Sequence, residues 1–124
     1  MTIFQGHVLD RLRELPDASV HCVVTSPPYW GLRDYKLPPQ VWDDPGGCEH
    51  EWDEVEHKDT RGIEGTGLNG RDPDQGGEAR LNHKEAVCLR CSAWRGSLGR
   101  EPTPELYVQH IVQVFREVRR VLRQ

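Results

Sequence analysis

Hydrophobic and polar positions fall into three stretches of different rhythm along the chain. In the first, Thr2-Ile3-Phe4 reads as a short strand and Gly6 as a turn. From Val8 onward Leu9, Leu12 and Leu15 recur at three-residue spacing, which predicts one apolar helix face ended by Pro16-Asp17. Residues 20–24 are β-branched except for His21 and Cys22, a continuous apolar run of the kind that forms a buried strand in a parallel sheet. Strand, helix and strand within about 25 residues predict the opening of an α/β unit. In the second stretch, from Lys36 to about Arg100, this order is lost. Residues 53–87 hold no aromatic side chain and no sustained apolar period, and Gly, Asp, Glu and Arg dominate. The third stretch regains a helical period. Thr103 suits the N-cap, Pro104 the first helical position and Glu105 the positive end of the dipole. Tyr107, Ile111, Val114, Phe115, Val118, Val121 and Leu122 then form an apolar stripe, with Gln109, Gln113, Arg116, Glu117 and Arg120 opposite it. The late arginines favour the negative end of that helix.

Composition narrows the picture. The 124 residues suit one small domain, but with 35% of them hydrophobic there is little material for a core. No apolar run approaches the roughly 18 residues that cross a bilayer, and no basic start leads into an apolar segment, so no membrane partner is expected and the chain is placed in the cytoplasm. Four cysteines in such a compartment point to metal ligation or free thiols rather than disulfides. The net charge of -4 is uneven, with 0 over residues 1–36, -8 over 37–85 and +4 over 86–124. The middle is therefore a poor phosphate binder, and charge alone neither predicts nor excludes DNA.

The chemistry is concentrated where the second apolar run stops. Pro27 cannot donate to a sheet and forces Ser26 into extended geometry, so Ser26-Pro27-Pro28 presents a hydroxyl and carbonyls at a strand's carboxyl end, where open α/β sheets bind ligands. Acceptors beside an aromatic face suit a planar ring bearing an exocyclic amine. The Ser26 hydroxyl and the Pro27 carbonyl can accept the two amine hydrogens while Tyr29 stacks on the ring. The run VVTSPPYWGLRDY resembles the catalytic motif of amino-methylating DNA methyltransferases. GHVLDRLRELPDASVHCVVTSPPYWGLRDY is also similar to the opening of the permuted members, in which the catalytic motif precedes the cofactor motif. The resemblance implies transfer of a methyl group from S-adenosyl-L-methionine to a base flipped out of double-stranded DNA, as in restriction-modification. Ser26, Pro27, Pro28 and Tyr29 are the implied catalytic residues. A motif beginning with Ser implies cytosine N4 as acceptor, with adenine N6 as the alternative. His7 and His21 depart from the pattern, which has acids in GDxL and SVDxV, and neither is assigned a catalytic role. Arg33 and Asp34 continue the motif into a loop and read as an ion pair or a phosphate contact. Methylation at cytosine C5 is excluded, because no Pro-Cys pair supplies its nucleophile.

The ends of the middle stretch carry a second chemistry. Cys88 and Cys91 have the spacing of a zinc knuckle, and Cys48 and His50 complete a tetrahedral set, with His57 or His83 as substitutes for His50. Trp52 and Trp94 are expected to pack around the ion, and Cys22 is left to the buried strand. Metal binding would supply folding free energy that the sparse apolar content cannot. The CxHxW and CxxCxAW brackets also resemble those around inserts in phage and bacterial methyltransferases of this type. Gly65-Thr66-Gly67-Leu68-Asn69-Gly70 satisfies a dinucleotide-binding pattern but lacks the flanking strand and helix, and reads as a glycine loop.

The resulting expectation is an α/β chain carrying part of a Rossmann-like methyltransferase sheet. Residues 1–36 form the catalytic β-α-β segment, 37–100 a zinc-stabilised insert, and 101–124 a core helix. The residues that hold S-adenosyl-L-methionine and recognise the target sequence are expected in a missing remainder of the enzyme. The competing expectation is a non-catalytic zinc module that interacts with DNA.

Overall fold

The structure is a computed structural model and describes residues 1–32, 35, 37–55 and 85–123. The element order among them is α1 (Val8–Arg13), β1 (Gln40–Trp42), β2 (Trp52–Glu54), β3 (Ala86–Cys88), β4 (Trp94–Gly96) and α2 (Pro104–Val121). Arg33, Asp34, His57, His83 and the Gly65-to-Gly70 pattern lie outside the described residues.

The strands form one antiparallel sheet in the order β1-β4-β3-β2. Each has three residues, too short for a period of two to stand out in sequence. Register decides what each face carries. Trp42 pairs with Trp94, and Trp94 with Val87, so these three side chains share one face. Trp52 pairs with Cys88, one residue out of phase, and therefore stands on the other face. The expectation that both Trp52 and Trp94 flank the cysteines is corrected by this parity: Trp94, fully buried, belongs to the core. Leu9, Trp42 and Trp94 form that core, with Val8, Val87, Leu98, Leu106 and Val114 packed against them, so both helices lie on the tryptophan face.

Helix α1 starts where expected and ends at Arg13, short of the expected stop at Pro16-Asp17. His7 is its N-cap, accepting a hydrogen bond from the Leu9 amide at Nδ1 over 3.2 Å, so a neutral imidazole does the work that an acid would do there. Thr103 caps α2 as expected, accepting from the Leu106 amide at 3.2 Å, with Pro104 opening the first turn.

The buried face of α2 follows the expected apolar stripe, with Tyr107, Ile111, Val114, Val118 and Leu122 half-buried, and His110 is added to it. His110 and Val121 are its buried residues, whereas Phe115 is 41% exposed and Val108 and Val112 are exposed as well. A histidine can occupy the core position because its ring stacks on Trp42 and its nitrogens have partners, described below. The late arginines also act differently from expectation. Arg120 turns away from its own helix end and donates to the Leu12 and Leu15 carbonyls at 2.8 and 3.0 Å, capping the negative end of α1. It also binds Asp17 and Glu117.

The two expected strands flanking α1 are not formed. Residues 2–4 have no strand pairing, and from 20–24 only Val20 is paired, in a parallel bridge to Leu122. Val24 is 94% exposed and Cys22 is exposed, which corrects their placement in a buried strand. A parallel strand is buried only when strands flank it and layers cover it. Here the end of α2 is the sole neighbour among the described residues: Val20 donates to the Val121 carbonyl at 2.9 Å and accepts from the Arg123 amide at 2.9 Å.

Candidate functional site

Two groups of residues carry chemistry. The first is the loop through Ser26-Pro27-Pro28-Tyr29-Trp30. The Tyr107 hydroxyl donates to the Pro28 carbonyl at 2.8 Å, the Trp30 indole N–H to the Glu101 carbonyl at 2.9 Å, and the Gly31 amide to the Gly99 carbonyl at 2.8 Å. Burial, and after it the charge of Glu101 and the nearby Tyr29, push the Tyr107 pKa up, so the hydroxyl keeps its proton and remains a donor. Gly99 is where the loop comes closest. Its φ is +90°, and a Cβ there would lie 3.1 Å from Pro28 Cβ and 3.2 Å from the Tyr29 carbonyl oxygen, so glycine is required. Among the described residues the Ser26 hydroxyl and the Pro27 carbonyl have no internal partner, and Ser26 and Tyr29 are exposed. The loop therefore offers an exposed hydroxyl, an unpaired carbonyl on half-buried Pro27 and an exposed aromatic ring, on a backbone fastened at Pro28, Trp30 and Gly31.

The second group is Cys48, His50, Cys88 and Cys91, whose ligand atoms all lie within 4.8 Å of one another. The CxxC turn follows directly from β3. Cys88 donates to the Ala93 carbonyl at 2.8 Å, Ser92 returns to the Cys88 carbonyl at 2.9 Å, and Ser92 itself adopts φ 62° to close the turn. The Arg90 amide donates to Cys88 Sγ at 3.4 Å. Cys48 and His50 arrive from the turn at Gly46 and Gly47, which Asp44 ties by accepting from the Gly46 amide at 2.9 Å.

The donor set fits a tetrahedral zinc. With bonds of about 2.3 Å to sulfur and about 2.0 Å to nitrogen, tetrahedral angles require sulfurs about 3.8 Å apart and sulfur and nitrogen about 3.5 Å apart. Cys48 and Cys88 Sγ are 4.0 Å apart, and Cys91 Sγ is 3.5 Å from His50 Nδ1. The other nitrogen of His50, Nε2, lies 3.6 Å from Asp44 Oδ1, the arrangement in which a carboxylate orients a ligating imidazole. Burial works to raise the Cys88 thiol, but the His50 contact and the backbone of Cys91, Arg90 and Glu51 outweigh it and bring it to about 6. Burial, and then the adjacent Cys91 and Cys88, push Cys48 up to about 11. Trp52 stacks near His50 at 4.6 Å, and the Arg95 guanidinium lies 4.8 Å over the Trp52 ring, so one tryptophan of the expected pair does flank the cluster.

The structure thus brings the four proposed metal ligands together, and places Ser26, Pro27, Pro28 and Tyr29 on a separate loop. Asp43, Glu101, Tyr107 and His110 are the supporting residues that sequence reasoning missed. His110 Nδ1 lies 2.9 Å from Glu101 Oε1 and Nε2 lies 3.0 Å from Asp43 Oδ2, with Glu101 and His110 fully buried. The one available signal was His110 inside an otherwise apolar-faced helix; nothing in the sequence marks Asp43 or Glu101 as its partners.

No family model matches the chain, and no solved structure matches it. Three curated proteins are similar to part of it. The Type II methyltransferase M.Cfr9I of Citrobacter freundii is 60% identical over 40 residues, covering 32% of this chain and 13% of the relative. The Type II methyltransferase M.XycI of Xanthomonas campestris pv. cyanopsidis is 62% identical over 40 residues, with the same two shares of 32% and 13%. The Type II methyltransferase M.SfiI of Streptomyces fimbriatus is 46% identical over 52 residues, 42% of this chain and 11% of the relative. Over about a third to two fifths of its length, then, the chain is similar to Type II methyltransferases, while it spans only about an eighth of theirs.

Proposed function

We propose that this chain carries the base-binding part of a site-specific DNA methyltransferase that methylates cytosine N4, with adenine N6 as the alternative acceptor. The observation that carries the reading is the open Ser26 hydroxyl and Pro27 carbonyl beside exposed Tyr29, on a loop whose Pro28 carbonyl is already taken by Tyr107. In this reading the two open acceptors hold the hydrogens of the target amine, which turns the nitrogen lone pair outward. Tyr29 stacks on the base flipped from duplex DNA, and Pro28 fixes the turn. The local likeness to three Type II methyltransferases supports the same assignment. S-adenosyl-L-methionine, when bound, supplies the methyl group, and no cofactor residue is assigned among the described residues.

The permuted order of motifs and a Rossmann-like sheet belong to this proposal as well. Exposed Ile3, Phe4, Val23 and Val24 on either side of α1, and exposed Val108, Val112 and Phe115 on α2, are apolar surfaces that added strands would cover. The division into a catalytic segment at 1–36, a zinc-stabilised insert at 37–100 and a helix at 101–124 follows from it, with zinc held by Cys48, His50, Cys88 and Cys91 in a closed structural site that supplies folding free energy. Bacterial DNA as substrate places the protein in the cytoplasm. No helix among the described residues is long and apolar enough to cross a membrane.

The test measures methyl transfer to duplex DNA by this chain, alone and together with the complementary portion of a relative, alongside DNA binding. Ser26→Ala is expected to reduce turnover by a factor of about 100 or more while DNA binding is kept. Absence of transfer in both arrangements overturns the reading. If DNA binding nevertheless depends on the cysteine cluster, the chain is the non-catalytic zinc module.

A further inference from the structure

The buried group around His110 has no place in the chemistry described so far. Its imidazole is fully buried between two indoles, 4.7 Å from Trp42 at 27° and 5.4 Å from Trp94 at 23°. Each ring nitrogen faces a carboxylate oxygen, Glu101 at 2.9 Å and Asp43 at 3.0 Å, so the ring is bridged to two distant parts of the chain. Asp43 reaches this position from a left-handed backbone, φ 57°, and is further held by Gln109 and Gln113. A buried polar network is seldom the most stabilising way to fill a core, and its best-attested use is to fix one arrangement among several.

What it fixes is legible from the bonds that leave it. The second carboxylate oxygen of Glu101 accepts from the Gly99 amide at 2.9 Å, and the Glu101 carbonyl accepts from the Trp30 indole at 2.9 Å. The Gly99 carbonyl accepts from Gly31 at 2.8 Å, and Tyr107, one turn before His110 on α2, donates to the Pro28 carbonyl at 2.8 Å. Three polar groups of the loop are thus held by residues 99–107, and that segment is anchored through Glu101 to His110 and Asp43. We propose that Asp43, Glu101, Tyr107 and His110 are positioning residues for methyl transfer: they select which acceptors of the Ser26–Trp30 loop face the target amine. By occupying the Pro28 carbonyl, Tyr107 leaves the Ser26 hydroxyl and the Pro27 carbonyl as the unpaired acceptors. The inference rests on the reading of that loop as the amine-holding array.

The test compares Tyr107→Phe and Glu101→Gln with wild type in two measurements. The first is amide hydrogen exchange in the chain itself. Gly31, bonded to Gly99, reports on the loop, and Cys88 and Leu89, bonded to Ala93 and Glu51, report on the sheet. Glu101→Gln is expected to speed Gly31 exchange by about tenfold or more, with Cys88 and Leu89 unchanged. The second is steady-state methyl transfer, where both variants are expected to lower kcat by about tenfold and leave KM for DNA unchanged. Equal acceleration at all three amides, no acceleration at Gly31, or a wild-type kcat in both variants overturns the proposal. If the wild type transfers no methyl group, the functional reading falls by itself, and the exchange comparison still decides whether the cluster holds the loop.

Discussion

Removing the metal ligands should unfold the hairpin end of the molecule, by an amount the structure allows to be worked out. Cys48 and Cys88 are 40 residues apart, and a zinc bound by both half-sites acts as a cross-link closing the loop between them. Chain entropy for a closure of that length is about 4 kcal/mol. At roughly 4–8 °C per kcal/mol for a small domain, the expected fall in Tm is about 15–30 °C. Little else can compensate, because the sheet joins strands of three residues each and its core is built on Leu9, Trp42 and Trp94. Circular dichroism melts with and without a chelator, read beside metal content by mass spectrometry, provide the assay. Cys88→Ser and Cys91→Ser should reproduce the chelated melt and lose the metal. Cys22→Ser, at an exposed cysteine outside the cluster, should change stability by no more than about 0.5 kcal/mol. A protein that carries no metal, and whose Tm is the same in chelator and in Cys88→Ser, would refute the reasoning.

Three further outcomes follow from the packing. Gly96→Ala places a Cβ against the six-membered ring of Trp94, an indole that is itself fully buried, and should destabilise the fold by about 1–3 kcal/mol in denaturant titration. Burial holds the pKa of His7 below its usual 6.5, an effect that the nearby Asp10 partly opposes, and its neutral ring caps α1. That contribution is therefore complete above about pH 6.5 and is lost as pH falls through the folded value. His7→Asn, which caps without titrating, should flatten this part of the stability profile, whereas an unchanged profile would contradict the assignment. Arg120→Met removes donors from the Leu12 and Leu15 carbonyls and should cost about 1–2 kcal/mol, measurable as a shift of the denaturation midpoint at constant slope.

Both helices, and the N-cap of α2, were legible in the sequence because Thr103-Pro104-Glu105 and the Leu9, Leu12 and Leu15 spacing are local signals. The clustering of Cys48, His50, Cys88 and Cys91 was legible too, since a CxxC pair needs only a partner pair. The sheet was not, because a strand such as Gln40–Trp42 is recognised by the residues it pairs with, Gly96 to Trp94, rather than by its own period. The expected strands at 2–4 and 20–24 show the reverse case. Their apolar runs match a parallel sheet, but a strand is realised only where neighbours supply its hydrogen bonds, and Val20 finds just Leu122. His110 was hidden for a further reason. A polar residue takes a core position only when distant groups satisfy it, and Asp43 lies 67 positions away.

The most direct test of the central claim is nucleoside analysis by mass spectrometry of duplex DNA treated with S-adenosyl-L-methionine and this chain, together with the complementary portion of a relative. The account predicts N4-methylcytosine that disappears with Ser26→Ala. Methylation at cytosine C5, no methylated base at all, or a yield that Ser26→Ala leaves undiminished would contradict it.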